Sequence, residues 1–222
     1  MGASEIYIDG TIEGDLIAAG GYIEINGVVT GDAIVAGGGI SLNGEVEDDV
    51  RAAGGGVDIS GTIGDDFVAA AGGGSGFMMP VQSDTQTVEP GIHLADNAQV
   101  GGDALLAGGV GDLAGTINGE LRAGMGQVSL AGQVGEDAHL SAGTVTVAET
   151  AQVGQTLFYN SEEQTTIPSG VAAKVEYSPP PQGTPADPAS VLLGWLFRTL
   201  LILAGFALLG WLLFCSCLEP WF

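Results

Sequence analysis

Aspartate recurs through this chain at a fixed interval, and carboxylates at fixed spacing are the first place to look for chemistry. Asp15, Asp32, Asp49 and Asp66 lie 17 residues apart. Asp103, Glu120 and Asp137 resume the interval, and Gln155 follows 18 residues later. Asp48, Asp49, Asp65 and Asp66 put four carboxylates on neighbouring copies, which makes them the candidate ligands for calcium, a hard, oxygen-seeking cation. The Gly-Gly-x-Gly-x-Asp pattern of calcium-binding repeats is not met. Acidic residues at a corner also have a structural task, since their carboxylates accept hydrogen bonds from nearby backbone N–H groups. Carboxylates ~5 Å apart repel by roughly 1 kcal/mol in water, which salt screens further, so a cation is not required.

Other catalytic constellations are missing. His93 and His139 fall in different columns and copies, with no Cys or Ser grouping around them, so no triad is expected. Two histidines do not make the three-His zinc site of trimeric β-helical carbonic anhydrases. The Gly-Gly pairs lack the strand–helix context and the Lys of a phosphate loop. Cys215 and Cys217 are the only cysteines and follow an apolar run, so neither a disulfide framework nor a zinc site is implied. The expectation is a non-enzyme with no cofactor and no catalytic residue.

The same 17-residue period organises the whole chain. Gly10, Gly27, Gly44 and Gly61 repeat it, and Gly115 and Gly132 keep it later. Each copy holds three short apolar segments. The first is an aliphatic pair at i and i+2, as in Ile6/Ile8, Ile23/Ile25, Ile40/Leu42 and Val57/Ile59, with an outward residue between: Tyr7, Glu24, Ser41, Asp58, and later His93, Ser129 and Thr146. The second gives one inward residue, such as Val29, Val46 or Ile63. The third follows the acidic corner and points two residues inward around one outward residue.

Three segments per 17 residues predict one turn of a parallel β-helix, and a single turn cannot bury its apolar side alone. The predicted fold class is therefore all-β: a right-handed parallel β-helix of about eight rungs, followed by one transmembrane α-helix. Eight rungs at ~4.8 Å each stack to roughly 40 Å. The strict hexad of left-handed acyltransferase helices is absent, which favours the right hand. The rungs occupy residues 6–74 and 92–160, with an insert at 75–91 and a degenerate capping rung at 161–177.

The outward column of the third segment holds Arg51, Arg122 and His139, yet also Ile17, Ile34, Val68, Leu105 and Leu157. Aliphatics aligned in one outward column on a flat β face are self-association candidates. The insert carries Phe77, Met78 and Met79, contact candidates at the tip of a protruding loop. The alternative is a tip folded back on the solenoid flank.

Composition agrees with this reading. The chain has 222 residues, 39 of them Gly and 6% aromatic, too few large side chains for a bulky globular core. The formal charge is −23, with only Arg51, Arg122, Lys174 and Arg198 basic, which argues against nucleic-acid binding. Residues 178–190 hold five prolines and read as a semi-rigid linker. Residues 191–214 carry one charge, Arg198, and at 1.5 Å per residue reach about 36 Å, enough to cross a membrane. Trp195 and Trp211 sit toward the two ends, where interfacial anchors belong. Residues 215–222 form a short tail. The expected location is a cell membrane, crossed once. The basic residues on the repeat side place the β-helix in the cytoplasm, and an upstream signal peptide would place it outside.

The cadence Ile-Asn-Gly-x-Val-x-Gly-Asp-x-x-x-Ala-Gly-Gly of residues 25–38 resembles the bactofilins, or polymer-forming cytoskeletal proteins. It continues through residues 42–55 and 59–73 and more weakly through 94–109 and 130–143, covering roughly residues 5–160. The resemblance implies a right-handed β-helix that polymerises end to end without nucleotide, and it looks most like the membrane-bound variants. The partners implied are other copies of the chain and a membrane, through residues 191–214. The insert departs from the family pattern, as does a single helix where several commonly follow. A second expectation stays open: an exported, acidic surface-display or binding module, with calcium or a glycan at its corners.

Overall fold

The structure, a computed structural model, describes residues 2–72, 80–82 and 87–179. Phe77, Met78 and Met79, the linker beyond residue 179, the predicted helix 191–214 and the tail 215–222 lie outside the described residues. The chain divides into two compact units, Met1–Pro180 and Pro181–Phe222, and the description concerns the first.

That unit is all-β, a parallel β-solenoid of about nine turns. Among the described residues no helix is long and apolar enough to cross a membrane. Strand β1 (Gly2–Ile8) opens the stack, and then two-residue strands alternate with longer ones. These are β2 (Thr11–Ile12) and β3 (Leu16–Ile25), β4 (Val28–Val29) and β5 (Ala33–Leu42), β6 (Glu45–Val46) and β7 (Val50–Ile59), and β8 (Thr62–Ile63) and β9 (Phe67–Ala71). The insert contributes β10 (Val81–Gln82) and β11 (Thr87–Val88), and β12 (Gly91–Leu94) re-enters the solenoid. The stack continues through β13 (Gln99–Val100), β14 (Ala104–Leu113), β15 (Thr116–Ile117), β16 (Leu121–Leu130), β17 (Gln133–Val134) and β18 (Ala138–Val147). It ends with β19 (Gln152–Asn160) and β20 (Ala172–Tyr177).

Register follows the sequence period. Leu16 pairs with Ala33 and Ala33 with Val50, so identical columns stack. The inward columns are Ile, Val and Leu, joined in the third segment by Ala, with Phe67 the largest fully buried member of that segment. One column is irregular: Gly111 stands where its neighbours carry Ile92 and Val128, and the Met125 sulfur fills the space a side chain would take.

Three segments per turn become two strands, because the Ala-Gly-Gly step bends the chain without leaving extended conformation. The third segment of one copy and the first of the next form one ten-residue strand. Positive φ is found, among the described residues, at Gly14, Gly91 and Gly170, so conformational freedom is not what the bend uses. It uses the missing Cβ: a Cβ on Gly38 would stand 2.7 Å from the Gly21 carbonyl oxygen, and one on Gly55 2.6 Å from that of Gly38.

Two local insertions shift the register. Ile92 pairs with Val57, an offset of 35, and Ala104 with Phe67, an offset of 37. The two additional residues sit in the corner Ala95–Ala98, where Ala98 N–H donates to Ala95 O at 3.0 Å. The corner Ala148–Ala151 does the same at 3.2 Å. After it Leu157 pairs with Ala138 and is 0% exposed, in the core. This corrects its expected place in the outward column, because the corner holds two residues more than the regular copies and not one. Thr156, not Gln155, follows Asp137 at the acidic corner, and Phe158 takes the outward position.

The insert's hairpin, β10 against β11, lies over β5 and β7. Val81 and Val88 approach the bare face of Gly39, with Val88 itself buried. Tyr22, Glu24 and Ser41 are buried on this outward side. Glu24 and Ser41 therefore do not face solvent as their column suggests.

Candidate functional site

Two surfaces stand out, an acidic corner and an apolar face beside it. At the corner each Asp binds the next copy. Asp15 Oδ1 accepts the Asp32 N–H at 3.1 Å, Asp32 Oδ1 that of Asp49 at 3.4 Å, and Asp49 Oδ1 that of Asp66 at 3.0 Å. Asp66 takes the Asp103 N–H, Asp103 that of Glu120, and Asp137 that of Thr156, each at 2.8 Å. The corner carboxylates thus staple successive turns with charge-assisted hydrogen bonds.

Their outer oxygens remain available for charge. Asp32, Asp48 and Asp49 form one group of three carboxylates within 4.8 Å of one another, and Asp49, Asp65 and Asp66 form another. The charge on Asp66, then burial, then Asp49, Asp48 and Asp103, push the Asp65 carboxyl above the usual range. Arg51 answers part of this charge, with Nη1 3.0 Å from Asp32 Oδ2 and Nη2 2.7 Å from Asp49 Oδ2.

A second ladder, running through the residues before the corner glycines, was not singled out from the sequence. Asn26 Nδ2 donates to Asp9 Oδ1, Asn43 Nδ2 to Asn26 Oδ1, and Ser60 Oγ to Asn43 Oδ1, each at 2.9 Å. Its signal is present, since residues 9, 26, 43 and 60 keep the period.

The apolar face is built by β3, β5, β7, β9 and β14. Ile17, Ile34, Val68 and Leu105 point outward and are 66%, 41%, 40% and 53% exposed. A parallel column of exposed alanines, Ala19, Ala36, Ala53, Ala70 and Ala107, runs beside them in register. Large side chains next to small ones make a shallow groove of about 450 Å³ along Ile34, Val68 and Leu105. The Arg51 guanidinium within this stripe is turned to Asp32 and Asp49. Arg122 is held two-pronged by Glu120, at 2.7 and 2.9 Å, and His139 Nε2 reaches Glu120 at 3.2 Å. His139 also stacks on Phe158, with ring centroids 4.5 Å apart. The stripe therefore presents aliphatic surface and compensated charge.

No protein-family model, curated protein or solved structure matches the chain.

Proposed function

We propose that this chain is a membrane-anchored, self-associating structural protein without enzymatic activity. In this reading its β-helix is right-handed and assembles without nucleotide, and residues 191–214 cross the membrane as a helix. The apolar stripe carries the proposal. On a chain of net charge −23 two copies repel almost everywhere, yet along Ile17, Ile34, Val68 and Leu105 they meet aliphatic surface with its arginines already paired. Strand edges at the ends of the stack support it too. Among the described residues β1 pairs with β3 alone, and β20 with β19 alone, so each leaves one edge for another chain. The likeness of the repeat to the bactofilin cadence, and the apolar run after the linker, support the same reading.

Negative-stain electron microscopy and sedimentation of the full chain in detergent, at low and high salt, test it. Filaments or patches are expected, and Ile17→Asp with Leu105→Asp should disperse them. Single particles of the parent chain in both salts would sink the proposal.

The two carboxylate groups favour a second reading, an exported display or binding module that holds calcium at its corner. A melting temperature indifferent to calcium and to chelator would remove it.

A further inference from the structure

The apolar face has an ordered relief. In each turn the outward residue after the acidic corner is large, and the outward residue two positions on is small. Ile34 stands beside Ala36, Val68 beside Ala70 and Leu105 beside Ala107, all exposed. The later turns keep the relief with more polar members: Arg122, His139 and Phe158 stand beside Gly124, Ser141 and Asn160. Register holds both columns straight, since Val68 pairs with Leu105 and Ala70 with Ala107. The face is thus one ridge and one furrow, side by side along the stack. Charge is divided in the same way. The acidic corner lies two residues before the ridge, and the furrow runs on into the neutral Ala-Gly-Gly bend.

Two copies that meet on this face about a two-fold axis have two choices. An axis along the strands makes the solenoids antiparallel. The strands then run alike, so ridge meets ridge, furrow meets furrow, and the two acidic corners come together on one side. An axis along the stack keeps the solenoids parallel and reverses the strands. Each ridge then enters the partner's furrow, and each acidic corner meets the partner's neutral bend. Close packing and like-charge repulsion both favour the second choice. It also engages every turn, because identical rows stand at identical heights. An antiparallel pair that keeps the aliphatics together is centred on Arg51 and leaves the later turns uncovered. Eight rows from Ile17 to Phe158 and a five-residue segment such as Phe67–Ala71 give a face of about 38 Å by about 16 Å. That is about 600 Å² on each copy and about 1,200 Å² in all, the size at which specific interfaces begin.

We propose that the chain pairs with a second copy side by side and pointing the same way, the Ile34, Val68 and Leu105 ridge of each seated in the alanine column of the other. The inference rests on the self-association reading and gives it a geometry. Val68 packs on the partner's Ala70, and Leu105 on the partner's Ala107. Arg122 and His139, both already held by Glu120, lie over the partner's Gly124 and the partner's Ser141. Both chains leave the pair at the same end, as copies held in one membrane would.

The test measures distances between spin labels by electron resonance on the full chain in detergent. Cys215→Ser and Cys217→Ser clear the background, and one nitroxide is placed at Glu45→Cys or at Gln133→Cys, with labelled chain diluted by unlabelled. Both positions are exposed and lie off the face, and they stand four turns apart in one column. The expected result is the same shortest distance at both sites, to within about one turn, ~5 Å. An antiparallel pair centred on Arg51 leaves the Glu45 labels level and sets the Gln133 labels about 38 Å apart along the stack. Unequal distances of that kind overturn the proposal and leave self-association standing. No coupling at either site overturns it too, and sedimentation of the same samples shows whether self-association falls with it. A second variant reads the relief directly. Ala70→Leu fills the furrow at an exposed position and should weaken pairing at least about tenfold in sedimentation, with circular dichroism checking the fold. In an antiparallel pair the same leucine fills a void, so unchanged or tighter pairing overturns the proposal.

Discussion

Leu157 and Phe158 show how much one residue of register decides. Both are large and apolar, yet Leu157 is in the core and Phe158 lies against His139 on the outer face. Leu157→Ala is expected to cost about 2–5 kcal/mol in chemical denaturation, and Ile17→Ala, on the open face, no more than about 0.5 kcal/mol. The reason the sequence misplaces Leu157 is local: the corner 148–151 is two residues longer than Ala131–Gly132, and turn length has no apolar signature. The recurrence of Ala-acid-x-Ala-Gln-Val at residues 95–100 and 148–153, spanning both long corners, is the written sign of it. Asp58 and Asp65 differ in the cause of their raised carboxyls, burial for the first and the Asp66 charge for the second. A raised carboxyl binds its proton more tightly when folded, so its stabilising contribution is full below the unfolded value and is lost as pH rises through the folded one. In metal-free buffer at neutral pH, both Asp58→Asn and Asp65→Asn should therefore raise the melting temperature, and both gains should fade on acidification. High salt should erase the Asp65 gain and leave that of Asp58, since screening weakens repulsion between exposed charges but not desolvation.

At the scale of strands and corners, the glycine column is the least forgiving part of the repeat. A Cβ on Gly44 would overlap the Gly27 carbonyl oxygen, and one on Gly61 that of Gly44. Gly44→Ala should cost about 1–3 kcal/mol through backbone displacement, whereas Gly10→Ala, with open space around it, should cost far less. Equilibrium melts of the two variants make the comparison. These columns were legible because a solenoid repeats its contacts at the interval at which it repeats its residues. The hairpin over Gly39 was not, because it occurs once, and a single contact leaves no period. Glu24 and Ser41 read as surface in sequence, and their burial leaves no periodic mark. The row Asp58, His93 and Asp112, paired in register across β7, β12 and β14, was half legible. His93 follows Asp58 in its column, but Asp112 hides in a segment, Gly111–Leu113, whose aliphatic pair is broken by glycine and repaired from a distance by Met125.

Across the whole molecule charge is the dominant strain, with 27 acidic residues against four basic ones. The Debye length falls from about 10 Å at 0.1 M salt to about 3 Å at 1 M, below the ~4.8 Å between turns. Thermal melts should therefore climb steadily over that range, and a melting temperature independent of salt would show that the corner bonds already absorb the repulsion. Those bonds have one further property. Asp15, Asp32, Asp49, Asp66, Asp103 and Asp137 each accept from a residue later in the chain, and Asn26, Asn43 and Ser60 each donate to one earlier. In these side-chain ladders the acceptor is made before its donor, whereas the backbone carbonyls of the same corner run the other way, Leu16 N–H donating to Asp32 O and Ala33 N–H to Asp49 O. A polypeptide emerging amino end first would offer each new turn a finished surface on which to settle. Folding could then follow the order of synthesis, one layer at a time, as a crystal grows from a single face.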